Sequence, residues 1–398
     1  MNKPHYTYIP ACSVGAYGIA CASNKRFLND LPLRYYTTEM DARLYHPWFL
    51  ATAGHFYKKE NYRELLGADA NSIILGDSGG FQIATGAIQF DEKMLHTIFN
   101  WLEENSTIAM NLDIPPRMKM KGKFNECLEM SYKNYKYFEK NQSGKTKYLN
   151  VLHGYDISSF KKWYEKVKGM EFQGWAVGNV SYFKQVITAL AVLIDGNEHK
   201  KINNLYLHFL GCSKLSDFFI FSSLQNELNK IGCNIQILSD SSSPTNMMRF
   251  GGFAHQPNFR NETIDSLHIP HRSTFEEKMS DAYKMPKLIP ADYYIENCYE
   301  LSDFQECNQR FNCALSLHNI SIFLDAAATV SELIKHPYIL EQSVKSATHD
   351  AIKLIRNMIV NSENGNSAES YIIKNNMLIN IISSKLTTVD LNTEHEFF

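Results

Sequence analysis

The sequence predicts a (β/α)8 barrel followed by C-terminal helices. Seven short apolar segments recur between residues 46 and 240, and helical patterns fill most of the intervals between them. The starts of these segments lie 26 to 40 residues apart, as expected for buried parallel strands that alternate with helices. Seven such units at a step of roughly 30 residues approach the eight units of a barrel of ~250 residues. An open doubly wound sheet is the alternative, but no G-x-G-x-x-G follows the first strand.

The predicted elements divide the chain into four parts. Residues 1–45 form an N-terminal extension, 46–290 the barrel, 291–360 a zinc-binding segment with closing helices, and 361–398 a polar C-terminal tail. Residues 251–285 are rich in Asn, His, Pro and Arg and are predicted to be a loop. Residues 321–360 are predicted as two helices, the first ending near Pro337. The predicted strands are 46–53, 72–80, 108–113, 148–154, 174–179, 205–211 and 235–240; the predicted helices are 91–104, 125–140, 159–169, 182–194 and 215–231.

The composition is that of a globular protein. Of 398 residues, 44% are hydrophobic and 21% are charged, and the formal net charge is −2. This balance excludes a mainly polycationic surface but allows a local basic face. No apolar run reaches the ~18 residues of a membrane span, and residues 9–22 lack the pattern of a signal peptide. We therefore expect a cytoplasmic protein with reduced cysteines.

Polar side chains follow the predicted strands: Asp77, Asp113, His153, Asn179 and Asp240. In barrel enzymes the active site lies at the carboxyl ends of the strands. Three converging carboxyl groups suit glycosyl transfer, which uses a nucleophile and an acid/base pair. The alternative for each aspartate is that it caps the next helix.

Several motifs, in order, resemble the tRNA-guanine transglycosylase family and its DNA-modifying relatives. They are D-S-G-G-F-Q at 77–82, N-L-D-I-P-P at 111–116, G-W-A-V-G-N-V at 174–180, F-L-G at 209–211 and L-S-D-S-S-S-P-T at 238–245. A serine nucleophile at Ser78 is not favoured, because the G-x-S-x-G elbow is missing.

The resemblance implies a role for each matching residue. Asp240 would be the nucleophile that forms a covalent glycosyl-enzyme, and Asp77 the acid/base. Asp113 would accept hydrogen bonds from the N1–H and 2-amino edge of guanine. The base pocket would be lined by Gly178, Asn179 and Val180, with Phe81 as a stacking surface and His153 in place of the family's usual glutamine. No redox or nucleotide cofactor is implied.

Two departures from the tRNA enzymes favour DNA as the substrate. The glutamate that contacts a cationic arm of the base is replaced by S-Y-F-K at 181–184, which favours neutral 7-cyano-7-deazaguanine. The arginine-rich segment that contacts the anticodon loop is replaced by N-M-M-R, ending at Arg249. The resemblance is therefore strongest to the 7-deazaguanine DNA transglycosylases, which act on flipped bases, and DNA-modification partner proteins are possible. The alternatives are a tRNA enzyme, a non-catalytic nucleic-acid-binding subunit and an unrelated zinc-dependent hydrolase.

Two further sets of residues complete the prediction. Residues 117–147 hold nine basic and three acidic side chains, either a phosphate-binding surface or the solvated face of an outer helix. Phosphate binding is predicted for Arg117, Lys119, Lys121 and Lys123, together with Arg249. A cysteine cluster resembles the family's structural zinc site, with a closed tetrahedral ligand set of Cys298, Cys307, Cys313 and His318.

Overall fold

The computed structural model describes residues 3–11, 34–40, 42, 44–116, 123–178, 180, 182–249, 252–268 and 304–387. Within them, eight parallel strands form one sheet in the order β1-β8-β7-β6-β5-β4-β3-β2. Ala11, directly after β1, bridges Leu50 of β2, so the two edge strands meet and the sheet closes into a barrel. The predicted (β/α)8 fold is confirmed. The strands are β1 (Thr7–Pro10), β2 (Trp48–Thr52), β3 (Ile73–Asp77), β4 (Ile108–Met110), β5 (Lys147–Leu152), β6 (Gly174–Val177), β7 (Tyr206–Phe209) and β8 (Gln236–Ser241).

The first barrel strand lies in the segment predicted to be an N-terminal extension. β1 pairs with β8 in parallel, with Ile9 opposite Asp240, and all four of its residues are buried. The barrel therefore begins at Thr7 and not at residue 46. A four-residue strand is too short to show a periodic pattern, and only its pairing with β8 identifies it.

Helices connect the strands where the apolar periodicity predicts them. The short α1 (Ala53–Phe56), α2 (Tyr62–Leu65) and α3 (Gly80–Ala84) precede the long outer helices. These are α4 (Glu92–Asn105), α5 (Phe124–Asn141), α6 (Ile157–Val167), α7 (Phe183–Asp195) and α8 (Leu215–Lys230), and a short α9 (Ser243–Arg249) follows β8.

The segment predicted to be a loop after residue 250 contains an antiparallel hairpin of β9 (Gly252–Asn258) and β10 (Thr263–His268). The pairing is irregular between Asp265 and Ser266, which obscures the alternation expected of a strand. Residues 269–285 of that predicted loop lie outside the described residues.

Among the described residues after the hairpin, five helices follow, and they extend into the predicted tail. They are α10 (Phe304–Leu333), α11 (Pro337–Ser343), α12 (Ser346–Glu363), α13 (Ala368–Lys374) and α14 (Asn376–Thr387). Pro337 begins α11, where its missing N–H costs nothing. Residues 361–387 therefore belong mostly to helices that pack beside the barrel. Across the described residues, no helix is long and apolar enough to cross a membrane.

Candidate active site

The three aspartates predicted from the sequence lie at the same end of the barrel. Asp77 is the last residue of β3, Asp113 follows β4 by three residues, and Asp240 is the fifth residue of β8. The charges of Asp113 and Asp240 both raise the pKa of Asp77, so both carboxyl groups lie within electrostatic reach of Asp77. Carboxyl ends of neighbouring parallel strands meet at one face of a barrel, which is why sequence position alone predicts this cluster.

The surroundings of Asp77 raise its pKa. Burial, together with the nearby carboxylates Asp113 and Asp240, raises its pKa from 3.8 to about 6. Hydrogen bonds from the Gly79 N–H at 3.3 Å and from Thr52, its neighbour in register on β2, partly offset this effect. A carboxyl group with a pKa near 6 can both donate and accept a proton close to neutral pH, as a general acid/base must.

The turn after β3 packs closely against the segment that carries Asp113. Gly79 has a φ of +84°, which favours glycine. A Cβ on Gly80 would lie 2.1 Å from the carbonyl oxygen of Asp113, so only glycine allows this approach. Ser78 is fully buried and its hydroxyl donates to the carbonyl of Asn111 at 3.3 Å. Ser78 is therefore not a nucleophile.

Helix α5 holds the segment around Asp113 in place. The Ile114 N–H donates to the Ser131 hydroxyl at 2.8 Å, and the Asn134 amide donates to the Leu112 carbonyl at 3.1 Å. Both partners are buried polar groups on α5. These bonds replace the strand pairing that ends at Met110, and they fix the backbone on each side of Asp113.

His153 contacts Asp113 directly. Its Nε2 lies 2.6 Å from Asp113 Oδ2, and both side chains are largely buried. The ring packs edge-to-face against Trp163, with the ring centres 4.9 Å apart. Within the described residues, Nδ1 of His153 has no hydrogen-bond partner. The structure thus uses the Nε2 of His153 to orient Asp113, and direct contact of His153 with a base stays a prediction.

Gly178 is the residue that makes room for His153. A Cβ on Gly178 would lie 2.3 Å from Cε1 of the imidazole. The neighbouring Val180 is buried, whereas Phe81 on α3 is 46% exposed, as a surface that contacts a ligand would be. Asn179 lies outside the described residues.

Asp240 has a partner that the sequence analysis missed. The Nε2 of His208 lies 2.9 Å from Asp240 Oδ1, and the Gly211 N–H donates to the same oxygen at 3.1 Å. His208 is fully buried within β7. The available signal was a histidine inside an otherwise apolar strand, next to the strand of the predicted nucleophile, because a buried polar group needs a partner.

Most of the predicted phosphate-binding residues lie outside the described part of the chain. Arg117, Lys119 and Lys121 lie outside the described residues, and Arg249 ends α9 with a side chain that is likewise undescribed. Lys123 is exposed at the start of α5.

Further along the basic segment, charges on α5 and the neighbouring α6 are paired. Lys136 lies 3.0 Å from Glu139, and Lys166 lies 2.7 Å from Glu129. These pairs favour a solvated outer face for this part of the helix.

Three of the four predicted zinc ligands lie on one helix, and the zinc site stays a prediction. Cys298 lies outside the described residues, whereas Cys307, Cys313 and His318 all lie on α10. Eleven residues separate Cys307 from His318, or about 16 Å along a continuous helix. In the part of the chain that the structure describes, no three candidate metal-binding side chains come together.

His318 and Asn319 bind the hairpin. Burial lowers the pKa of His318, so the ring is neutral, and its Nε2–H donates to the Ala254 carbonyl at 2.7 Å. The Asn319 side chain accepts from the Ala254 N–H at 2.7 Å and donates to the Pro244 carbonyl at 3.0 Å. The pair therefore joins β9 and the helix after Asp240 to α10.

Neither the models of known protein families nor the curated proteins contain a match to this chain.

Proposed function

We propose that the protein is a guanine transglycosylase that exchanges guanine in DNA for 7-cyano-7-deazaguanine. The observation that carries the proposal is the pair of carboxyl groups at the barrel mouth in unlike environments. Asp77 has a pKa raised to about 6, whereas Asp240 accepts two hydrogen bonds through one oxygen. Such a division into an acid/base and a nucleophile is what glycosyl transfer requires.

In the first half of the reaction, Asp240 attacks C1′ of the nucleotide. Its Oδ2 has no hydrogen-bond partner among the described residues, while Oδ1 is held by His208 and Gly211. The bond from C1′ to the carboxylate oxygen forms as the bond to guanine breaks, and Asp77 gives its proton to the departing base.

In the second half, the incoming base gives its ring N–H proton to Asp77 and attacks C1′. The carboxylate of Asp240 then leaves. Two displacements retain the configuration at C1′.

Asp113 is suited to select the base. An ionised carboxylate only accepts hydrogen bonds, which matches the two adjacent donors of the guanine edge. With Oδ2 of Asp113 bonded to His153 and its backbone fixed by α5, the carboxyl group is preorganised. Preorganised acceptors lose less freedom on binding and so discriminate better.

The preference for DNA and for a neutral base is part of the same proposal. Lys184, in the segment where tRNA enzymes carry an acid, donates to Asn380 of α14 at 2.9 Å. Residues 182–184 thus serve the packing of the C-terminal helices and offer no carboxylate to a cationic arm. A structural zinc ion stays a prediction that the metal content of the purified protein would test, and no step depends on it.

The proposal is tested by base exchange on two substrates in parallel. Radiolabelled guanine and 7-cyano-7-deazaguanine are incubated with the wild type and with duplex DNA or bulk tRNA. We expect label in DNA. Label in tRNA alone would favour the tRNA alternative, and label in neither would contradict the proposal.

The Asp240→Ala variant tests the nucleophile. We expect loss of exchange by more than about 1,000-fold and no covalent adduct on a denaturing gel, because no other group can form the ester. Asp350→Asn, an acid on the outer helix α12, is the matched control and should exchange normally. Full activity of Asp240→Ala would refute the assignment.

A further inference from the structure

His208 occupies a position in β7 directly beside the strand that carries the proposed nucleophile. It is opposite Leu238 of β8 in register, and its side chain is completely buried. Its Nε2 lies 2.9 Å from Asp240 Oδ1. A buried polar ring in a barrel core is costly unless its hydrogen bonds are made.

The surroundings of the ring determine where its proton lies. Nδ1 of His208 is buried and has no hydrogen-bond partner within the described residues. A proton on Nδ1 would leave a buried donor unsatisfied, which costs about 1–3 kcal/mol. The ring therefore carries its proton on Nε2, and Nε2–H donates to Asp240.

We infer that His208 is a positioning residue that fixes the rotamer of Asp240 through an Nε2–H donor. The inference rests on the proposed function of Asp240 as nucleophile. His208 Nε2 and the Gly211 N–H both bond to Oδ1, so the carboxylate cannot rotate freely. Oδ2 then has one orientation toward the sugar, and the geometry needed for attack is present before the substrate binds.

His208 differs from a histidine that transfers a proton during catalysis. Asp240 attacks as a carboxylate and has no proton to give up, and Nδ1 has no described acceptor through which a proton could leave. His208 thus acts on the orientation of the nucleophile and not on its protonation, in contrast to the base of a Ser-His pair.

Two substitutions of His208 test this role. His208→Met fills the space without a donor, whereas the side-chain amide of His208→Gln places an N–H near the position of Nε2. We expect His208→Met to lower kcat by about 10- to 100-fold, the usual value of a hydrogen bond to a charged group, with KM changed by less than about threefold. His208→Gln should recover at least about a third of the wild-type kcat.

His46→Gln is the matched control. His46 is half-buried next to the barrel, and its Nε2 bonds to the backbone carbonyl of Tyr8 at 3.0 Å and not to a carboxylate. We expect it to change the melting temperature and leave kcat within about twofold. Equal kcat values for His208→Met and wild type, or equal losses for the Met and Gln variants, would overturn the inference.

A second measurement does not depend on exchange activity. Nitrogen NMR of the ¹⁵N-histidine-labelled wild type, assigned with His208→Gln, reports the tautomer of His208. We expect protonated Nε2 and unprotonated Nδ1 at neutral pH, and a shifted Nε2–H signal in Asp240→Asn. A protonated Nδ1 would overturn the inference. If the expected tautomer is observed but the protein exchanges no base, the proposed function is contradicted and the His208–Asp240 contact is still established.

Discussion

Asp77 and Asp240 are the same residue type placed in unlike surroundings. Asp77 lies where burial and two further carboxylates disfavour its charge, and its pKa rises to about 6. Asp240 has two donors on one oxygen, and the charged form is the better acceptor. The assignment of roles follows from these surroundings and not from the residue type.

The raised pKa of Asp77 predicts a cost to stability. Because the folded state holds this proton more tightly than the unfolded chain, the free energy of unfolding falls as the pH rises from about 4 to about 6. A shift from 3.8 to about 6 corresponds to about 2–3 kcal/mol. Asp77→Asn should therefore be more stable than the wild type at pH 7.5 by about 2 kcal/mol while losing exchange activity. Urea unfolding of the wild type and of Asp77→Asn between pH 4 and 8 measures how the free energy of unfolding of each protein changes with pH.

Asp69→Asn is a control for which we expect the opposite change in the free energy of unfolding. Burial alone would raise the pKa of Asp69, but hydrogen bonds from Thr38, Asn71 and Ser72 outweigh it and lower the pKa to about 2. This carboxylate stabilises the fold above its unfolded pKa, and its contribution is lost as the pH falls through about 2. Its substitution should destabilise the protein at pH 7.5. A stability for Asp77→Asn at or below that of the wild type would contradict the raised pKa.

At the scale of elements, glycines at the strand ends set the distances between site residues. Gly80 lets the turn after β3 reach the backbone of Asp113, and Gly178 after β6 leaves space for the ring of His153. Glycine at these points allows a close approach that any Cβ would block. The site is thus assembled by neighbouring loops that touch, and not by the strands alone.

Gly178→Ala should disturb base recognition. Its Cβ would lie 2.3 Å from the His153 ring, so the imidazole must move and its bond to Asp113 is lost. We expect the KM for the incoming base to rise by about tenfold, with a smaller effect on kcat. Gly169→Ala is the matched control, since a Cβ there has no neighbour within 4 Å. Steady-state kinetics with an unchanged KM in Gly178→Ala would refute this role.

The hairpin and α10 are joined by two buried polar side chains of α10, His318 and Asn319. The His-Asn pair resembles the end of a zinc motif, and both side chains bind the backbone of Ala254. Asn319 also reaches Pro244, in the helix that follows Asp240. This arrangement stabilises the region behind the proposed nucleophile.

At the scale of the whole molecule, the C-terminal helices cover the barrel on the side of α7. Nearly every residue of α7 from Val186 to Ile194 is buried, which an outer barrel helix achieves only when other helices pack over it. Asp195 secures this packing by accepting from Ser367 Oγ and the Ala368 N–H at 2.6 Å, and from the Glu369 N–H at 3.0 Å.

Asp195→Ala should loosen the C-terminal helices. Three hydrogen bonds to one carboxylate are lost, and we expect the free energy of unfolding to fall by about 2–3 kcal/mol, with faster proteolysis after residue 363 and unchanged kcat. Asp91→Ala, which removes only the cap of α4, should cost about 1 kcal/mol. Equal proteolysis rates for the Asp195 variant and the wild type would contradict this role.

The sequence by itself determined seven of the eight strands, the outer helices and the three strand-end aspartates. Buried parallel strands are continuous apolar runs, and their carboxyl ends converge in any barrel. These features depend on neighbours along the chain, and so a single sequence reveals them.

Only the tertiary structure decided the rest. Pairing with β8 identifies β1 as a barrel strand, and the contact with Asp240 identifies His208 as a site residue. The hydrogen bonds to Ala254 show what His318 and Asn319 do. Each of these contacts joins residues that lie from 32 to more than 200 positions apart. Local periodicity does not predict such contacts, because they form only when the closed barrel brings distant segments together.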